Sequence, residues 1–313
     1  VFELLNEPND ALDDATWNEL VPQALAVIRE TNPARWVVVG PTGFNGIGSL
    51  PGLHWPADDH LVLTVHYYDP FYFTHQGADW VDPSPPVGVA WTGTRLTPSA
   101  TWADWSWDTT RDYGNELSVT FEAAWAGYYL QPLATVFGYD QLAFTTSRAV
   151  ALLVACGPGD VAAPVSVAVD TLPGVETVID LDACGGADGV VRVVLQDRSG
   201  VAQAPFVLQG IELRAVGKHL PLLVTETQAI GAAFDYLKAW AGAHGAPPVL
   251  IGEFGAFQEA DMASRVRWTR AVREAAEARG LNWAYWEFAD GFGAYDPVAE
   301  AWRTGLLDAL VGD

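Results

Sequence analysis

PVLIGEFGAF, Pro248 to Phe257, decides how this chain is read. Val249, Leu250 and Ile251 form an uninterrupted apolar run, the mark of a parallel strand covered on both faces. The run then delivers one carboxylate, Glu253, between Gly252 and Gly255, whose missing side chains let other groups approach the backbone. An acid at the carboxyl end of such a strand is a site candidate; a buried glutamate in a structural ion pair is the bland alternative. A second apolar run, VFELLNEP from Val1 to Pro8, also ends in an amide and an acid, Asn6 and Glu7, and is stopped by proline. Two strand-end carboxylates suit acid/base work on a glycosidic bond, where one protonates the leaving oxygen and the other attacks or activates water.

Composition frames that idea. The chain has 313 residues, 50% hydrophobic, with 14 Trp, so it can bury a large core and reads as two domains. A net charge of -23, from 39 acids against 16 Lys plus Arg, argues against nucleic acid or an anionic membrane as partner and favours a neutral substrate. No apolar stretch approaches the roughly 20 residues that span a bilayer. The chain opens inside a strand, so no signal peptide is visible.

Taken in order, Asn9 to Thr31 reads as a helix with Asp or Thr near its start, Trp17, Leu20, Leu25 and Ile28 on one face, and Asn32-Pro33 ending it. Trp36 to Gly40 is the next buried strand. Pro41 to Asp59 is loop, with Phe44, His54 and Trp55 available to line a rim. Leu61 to His66 is a third strand. Near-continuous apolar strands alternating with helices mark a parallel α/β architecture.

From about Thr97 to Gly217 the alternation breaks. NELSVTFEAAW, AGYYLQP, QLAFTTS, AVALLVAC, APVSVAVDT, TVIDLDA, VVRVVLQDR and FVLQGIELR read as short strands with Gly, Pro and Asp turns between them, an antiparallel sandwich inserted into the α/β part. Helical periodicity returns at Thr227 to His244 and Glu259 to Arg279. LNWAYWEF is a strand, and Val298 to Leu310 a last helix.

NEP at Asn6 to Pro8, VHYYDPFYFTHQGADW at Val65 to Trp80, IGEFGAF at Ile251 to Phe257 and WAYWEFADGFGAYD at Trp283 to Asp296 occur in that order and closely resemble family 5 of the glycoside hydrolases, in particular bacterial endo-1,4-β-glucanases. The resemblance covers Val1 to about Leu96 and about Leu220 to Asp313. It implies an α/β fold, a (β/α)8 TIM barrel of which only strands four to eight are present, over residues 1–97 and 218–313, with an all-β, jelly-roll-like sandwich inserted at 98–217. The middle segment, opening with TWADWSWD, looks like a carbohydrate-binding module. The family's first three βα units have no counterpart, so the chain reads either as a fragment of a longer product or as a natural truncation that needs a partner or swapped copy to cover the open sheet edges.

Residue by residue, the resemblance implies Glu7 as general acid/base and Glu253 as nucleophile of a retaining enzyme. It implies Asn6 on the sugar 2-hydroxyl, His66 and Tyr68 beside the carboxylates, and Trp286 as the platform at the cleavage point. His75, Gln76, Trp80, Glu287 and Asp290 are weaker candidates for more distant sugars. Independently, an aromatic face packs against the C–H face of a pyranose, and a phenol or imidazole orients a carboxylate and tunes its pKa. The expected tuning keeps Glu253 ionised through Tyr68, and Glu7 protonated through the repulsion of that charge. Expected carboxyl separation is about 5 to 5.5 Å, the retaining geometry. The implied substrate is a cellulose-like β-glucan, with mannan as the other candidate; the implied location is extracellular, and no cofactor is implied.

Cys156 and Cys184 read as either one disulfide or two buried thiols. No CxxC, HExxH or EF-hand spacing occurs, so no catalytic metal is indicated; Asp108, Asp112, Asp180 and Asp182 could serve a structural calcium. The competing reading, from another class, is a glycan-binding protein that has lost catalysis.

Overall fold

A computed structural model describes residues 1–159 and 165–312; Ala163 and Pro164 of the APVSVAVDT stretch lie outside them. The chain divides into two compact units, Val1–Gly93 with Ala233–Asp313, and Thr94–Ala232. No helix among the described residues is long and apolar enough to cross a membrane.

The first unit runs β1 (Phe2–Glu3), α1 (Asp14–Thr31), β2 (Val37–Val39), β3 (Leu61–His66), α2 (Glu226–Ala243, in this unit from Ala233), β4 (Val249–Glu253), α3 (Met262–Glu277), β5 (Asn282–Trp283) and α4 (Thr304–Val311). The strands make one parallel sheet in the order β1-β2-β3-β4-β5. Val37, Leu61, Leu63, Val65 and Ile251 are fully buried, as their unbroken apolar runs require. The sheet is open, with β1 and β5 as edges, and Val1, Phe2 and Leu5 are exposed at the β1 side.

Helix α1 begins where the Asp13 side chain accepts the Thr16 N–H, which satisfies one of the orphan donors of its first turn. Its buried stripe is Trp17, Val21 and Leu25, a strict i, i+4, i+8 row. Leu20, expected on that face, is exposed because it lies about 100° round the helix from Val21, the middle of that row. The Trp17 indole donates to Gly40 O at 2.9 Å and ties the helix to the end of β2. Two further expectations need correction. LNWAYWEF holds only the two strand residues of β5, and the last helix starts at Thr304, because Tyr295–Asp296 and Ala301–Trp302 pair as a hairpin.

The second unit is two antiparallel sheets. One has the order Val167–Asp170, Ala151–Ala155, Val193–Asp197, Gly127–Pro132, Trp102–Asp104; the other Glu176–Asp180, Gln141–Thr146, Phe206–Ala215, Leu117–Phe121, Thr109–Tyr113, with Lys218–Pro221 also on Phe206–Ala215. Each of the eight stretches read as strands contains one, and the sandwich continues past Gly217. Alternate residues such as Val119, Phe121, Tyr128, Leu130, Phe144, Leu152, Leu195 and Leu208 form a single core, the period-2 consequence of the pleat. Leu96–Pro98 pairs antiparallel with Leu223–Thr225, so the first and last strands of this unit lie side by side.

Cys156 and Cys184 form a disulfide, 28 residues apart in sequence and buried in this core. Closing a loop of that length removes about 3 to 4 kcal/mol of unfolded-state entropy. Expressed alone, residues 94–225 should unfold in one cooperative urea transition. The Cys156→Ser/Cys184→Ser variant should be less stable by that amount; a gradual, non-cooperative melt of the parent would count against the unit's independence.

Candidate active site

Each strand of the parallel sheet ends on the same edge, and the chemistry gathers there. Glu7 follows β1 with φ 50, a left-handed conformation fixed just before the buried Pro8. His66 ends β3 and is in register with Glu253 at the end of β4. The His66 Nδ1 lies 2.7 Å from Glu7 Oε1 and 3.4 Å from Glu253 Oε2. One atom each of Glu7, His66 and Glu253 fall within 4.8 Å of one another. The Tyr68 hydroxyl donates to Glu253 Oε2 at 2.9 Å. Because Nδ1 faces a carboxylate, it carries the proton, and Nε2 accepts from Asn45 Nδ2 at 3.3 Å.

The two glycines of the opening motif are demanded by this geometry. A Cβ on Gly252 would sit 2.5 Å from Thr64 Oγ1, and one on Gly255 2.0 Å from the carbonyl oxygen of Trp286. Only a bare backbone lets β4 carry Glu253 so close to its neighbours.

Burial pushes the Glu253 carboxyl above its ordinary value; the neighbouring His66 and the Tyr68 hydrogen bond pull it back, and the charge of Glu7 raises it again. The expected tuning through Tyr68 is therefore present, but desolvation outweighs it. Burial and the adjacent Glu253 raise Tyr68 far above a normal phenol, so it remains a hydrogen-bond donor. His75 is lowered to about 4 by burial, against the pull of Glu7, and is a neutral ring.

An open cleft of about 570 Å³ runs over this centre, lined by Glu7, His66, Tyr68, Phe44, Phe71, His75 and Trp80 among others. His75 stacks on Phe71 with centroids 4.1 Å apart, and Trp80 stands edge-on to Phe257 at 4.8 Å. Phe44, Phe71 and Trp80 are each about half exposed, which leaves aromatic faces open to a ligand. Trp286 is exposed too, its N–H bonded to Phe254 O beside Glu253. Asn6 lies exposed next to Glu7.

One candidate falls away. Gln76 is fully buried and wholly engaged: its amide nitrogen donates to Phe73 O and Val89 O, and its oxygen accepts from Gly88 N and Val89 N, so it holds a loop and cannot meet a sugar. Glu287 is half-buried and its carboxylate accepts from Phe292 N at 3.4 Å; Asp290 is exposed, with its backbone carbonyl bonded to Gly293 N, and neither contact occupies the carboxyl group fully. Trp55 lines a separate pocket with Asp58 and His244, before β3 and β4 begin, and His54 is bonded through its N–H to Asn18. Sequence reading missed Asn45, the buried partner of His66, and the Phe71 face; an Asn directly before a glycine, in a residue type tolerant of positive φ, was the available signal for the first.

Among the described residues, Glu7, His66 and Glu253 are the group of three spaced to ligate a metal, and within it His66 already bonds Glu7. Asp108, Asp112, Asp180 and Asp182 form no such group.

Residues 1–116 match the family profile described as "Cellulase (glycosyl hydrolase family 5)". Endoglucanase C of Acetivibrio thermocellus is 40% identical over 79 residues, 25% of this chain and 23% of that protein. Cellodextrinase A of Ruminococcus flavefaciens is 39% identical over 80 residues, 26% of this chain and 24% of that protein. The chain thus spans about a quarter of the length of these curated relatives. Among solved structures, a hyperthermophilic endo-β-1,4-glucanase in complex with substrate is 26% identical with a TM-score of 0.56, covering 100% of this chain and 59% of that one. Thermotoga maritima Cel5A in complex with mannotriose, at 23% identity and a TM-score of 0.55, shares the fold; the match covers 99% of this chain and 59% of that one.

Proposed function

We propose that this chain carries the catalytic centre of a retaining glycosidase that cleaves internal β-1,4 linkages of a neutral glucan, with Glu253 as nucleophile and Glu7 as acid/base. The observation that carries the reading is the approach of a Glu7 oxygen and a Glu253 oxygen to within 4.8 Å, bridged by His66. That spacing leaves no room for an attacking water between carboxylate and sugar, and so favours a covalent intermediate. Glu253 attacks the anomeric carbon as Glu7 protonates the departing oxygen. Glu7 then takes a proton from water, which displaces Glu253 and restores the original configuration. The uncharged aromatic rim of the cleft suits pyranose rings, and Trp286 would face the sugar at the cleavage point. Asn6, beside Glu7, would bind its 2-hydroxyl.

The open sheet fits five strands of an eight-stranded barrel, its exposed β1 edge to be covered by three further βα units. With those units supplied, proton NMR of early products from soluble β-1,4-glucan should show the β-anomer first; an initial α-product would sink the assignment. Mannan is the second substrate to assay, because the cleft's aromatic faces do not by themselves distinguish the two sugars. The disulfide and a polymeric substrate both suit an extracellular setting.

Tyr68→Phe tests the tuning of the nucleophile. Its hydroxyl lowers the Glu253 pKa, so removing it raises that pKa and leaves less carboxylate at a given pH. The acid limb of kcat/KM should move to higher pH, with a loss of roughly 10- to 100-fold at the optimum. An acid limb that stays in place would separate Tyr68 from the titration of Glu253.

A further inference from the structure

Three consecutive residues between β2 and β3 take left-handed backbone: Gly43 at φ 62, Phe44 at φ 61 and Asn45 at φ 56. Glycine adopts that region freely and asparagine visits it singly, so a run of three persists only where its surroundings hold it. Contacts on both sides hold this one. The Phe44 N–H donates to Pro8 O at 3.3 Å, one residue beyond Glu7, and Gly46 pairs in parallel with His66. The turn parts its two side chains: Phe44 is half exposed and lines the cleft, whereas Asn45 is fully buried.

That burial serves a single contact. Among the described residues, the Asn45 side chain makes one hydrogen bond, from Nδ2 to His66 Nε2 at 3.3 Å, and its Oδ1 has no partner. An unpaired buried oxygen is destabilising, so the amide is kept for what its nitrogen does. Space is cleared for it as well, since a Cβ on Gly40, just past β2, would overlap Asn45 Oδ1.

An amide nitrogen only donates, so the ring nitrogen that faces it must be the acceptor, and the proton of a neutral ring then sits on the other one. That other nitrogen, Nδ1, lies 2.7 Å from Glu7 Oε1 and 3.4 Å from Glu253 Oε2. Protonated there, the ring is a donor to either carboxylate. With the proton on Nε2 instead, Nδ1 would present a lone pair that repels both charges and competes for the proton Glu7 has to deliver.

We propose that Asn45 is a positioning residue for the reaction: by occupying Nε2 it holds the His66 proton on Nδ1, and that N–H follows the negative charge from Glu253 to Glu7. Glu253 is ionised before the attack, and Glu7 once it has given up its proton. The part in the reaction rests on the hydrolase reading above; the tautomer of the ring does not.

Nitrogen-15 NMR of the histidine rings of the full chain reads the tautomer, with His66→Gln identifying its signal among the six histidines. The parent should show Nδ1 protonated and Nε2 bare. Asn45→Asp keeps the size of the side chain and the tolerance of positive φ but exchanges the donor for an acceptor, so Nε2 should gain a proton. Gly40→Ala, which displaces the amide without altering it, should leave the two tautomers mixed. In the protein completed as proposed, Asn45→Asp should lower kcat on β-1,4-glucan roughly 10- to 100-fold with KM within about threefold, and should spare an aryl glycoside whose leaving group needs no proton. A protonated Nε2 in the parent overturns the proposal. So does a parent-like spectrum in Asn45→Asp or, if that variant does not fold, in Gly40→Ala. Equal losses on glucan and aryl glycoside would make Asn45 a purely structural residue and overturn its part in the reaction, while the stereochemistry of the parent's product decides the hydrolase reading separately.

Discussion

Replacing Glu253 by alanine, in the protein completed as proposed above, should lower hydrolysis of soluble β-1,4-glucan by roughly 10⁴- to 10⁶-fold, the scale on which loss of a covalent nucleophile is felt. The variant keeps Glu7, still able to protonate a leaving group, and opens a small space where the carboxylate stood. Added azide can enter that space and attack the anomeric carbon directly. One displacement inverts configuration, so the product should be the α-glycosyl azide, formed at a rate that rises with azide concentration. Tyr68, which donates to Glu253 in the parent, and His66, whose Nδ1 lies 3.4 Å from it, face that space and can receive the anion. A β-azide from this variant, or hydrolysis retained within tenfold of the parent, would remove Glu253 from the nucleophile's role.

Glu7→Ala should behave differently, although its loss on glucan is also large, roughly 10²- to 10⁴-fold. The nucleophile remains, so an aryl glycoside whose leaving group needs no proton should still form the glycosyl-enzyme. Breakdown then waits for a base that is missing. Azide, which needs no base, should release the β-glycosyl azide, the outcome of two displacements. Azide therefore separates the two glutamates by product geometry, independently of any general loss of folding. Equal losses on aryl glycoside and glucan, with no azide product, would mean that Glu7 positions His66 and does not transfer protons. The 2.7 Å contact between those two residues makes that a real alternative.

The parts of this site that could be read in the sequence were those written locally. Val37–Val39, Leu61–His66 and Val249–Glu253 are apolar on both faces, so their burial follows from composition alone. Glu253 could be named from its place at a strand end and His66 from the family resemblance, but their direct pairing depends on sheet register, which no single stretch encodes. Gln76 misled because a polar residue in an aromatic loop resembles a ligand contact; only its four hydrogen bonds to backbone show that it is structural. Likewise, the tryptophans of TWADWSWD are equally apolar in sequence. Trp102 is core and Trp105 is surface because pleat parity separates them, and parity became visible only once the neighbouring strand was placed.

The ladder between Leu96–Pro98 and Leu223–Thr225 has a consequence for the loop-closure entropy of the chain. The entry and exit of a whole domain are pinned together by three paired residues, so to the rest of the polypeptide the sandwich is equivalent to a tight turn. A host fold that accepts a turn at that position pays almost no additional loop-closure entropy for a domain there. A chain in which a short hairpin linker joins Gly93 to Glu226 is the variant that tests this equivalence.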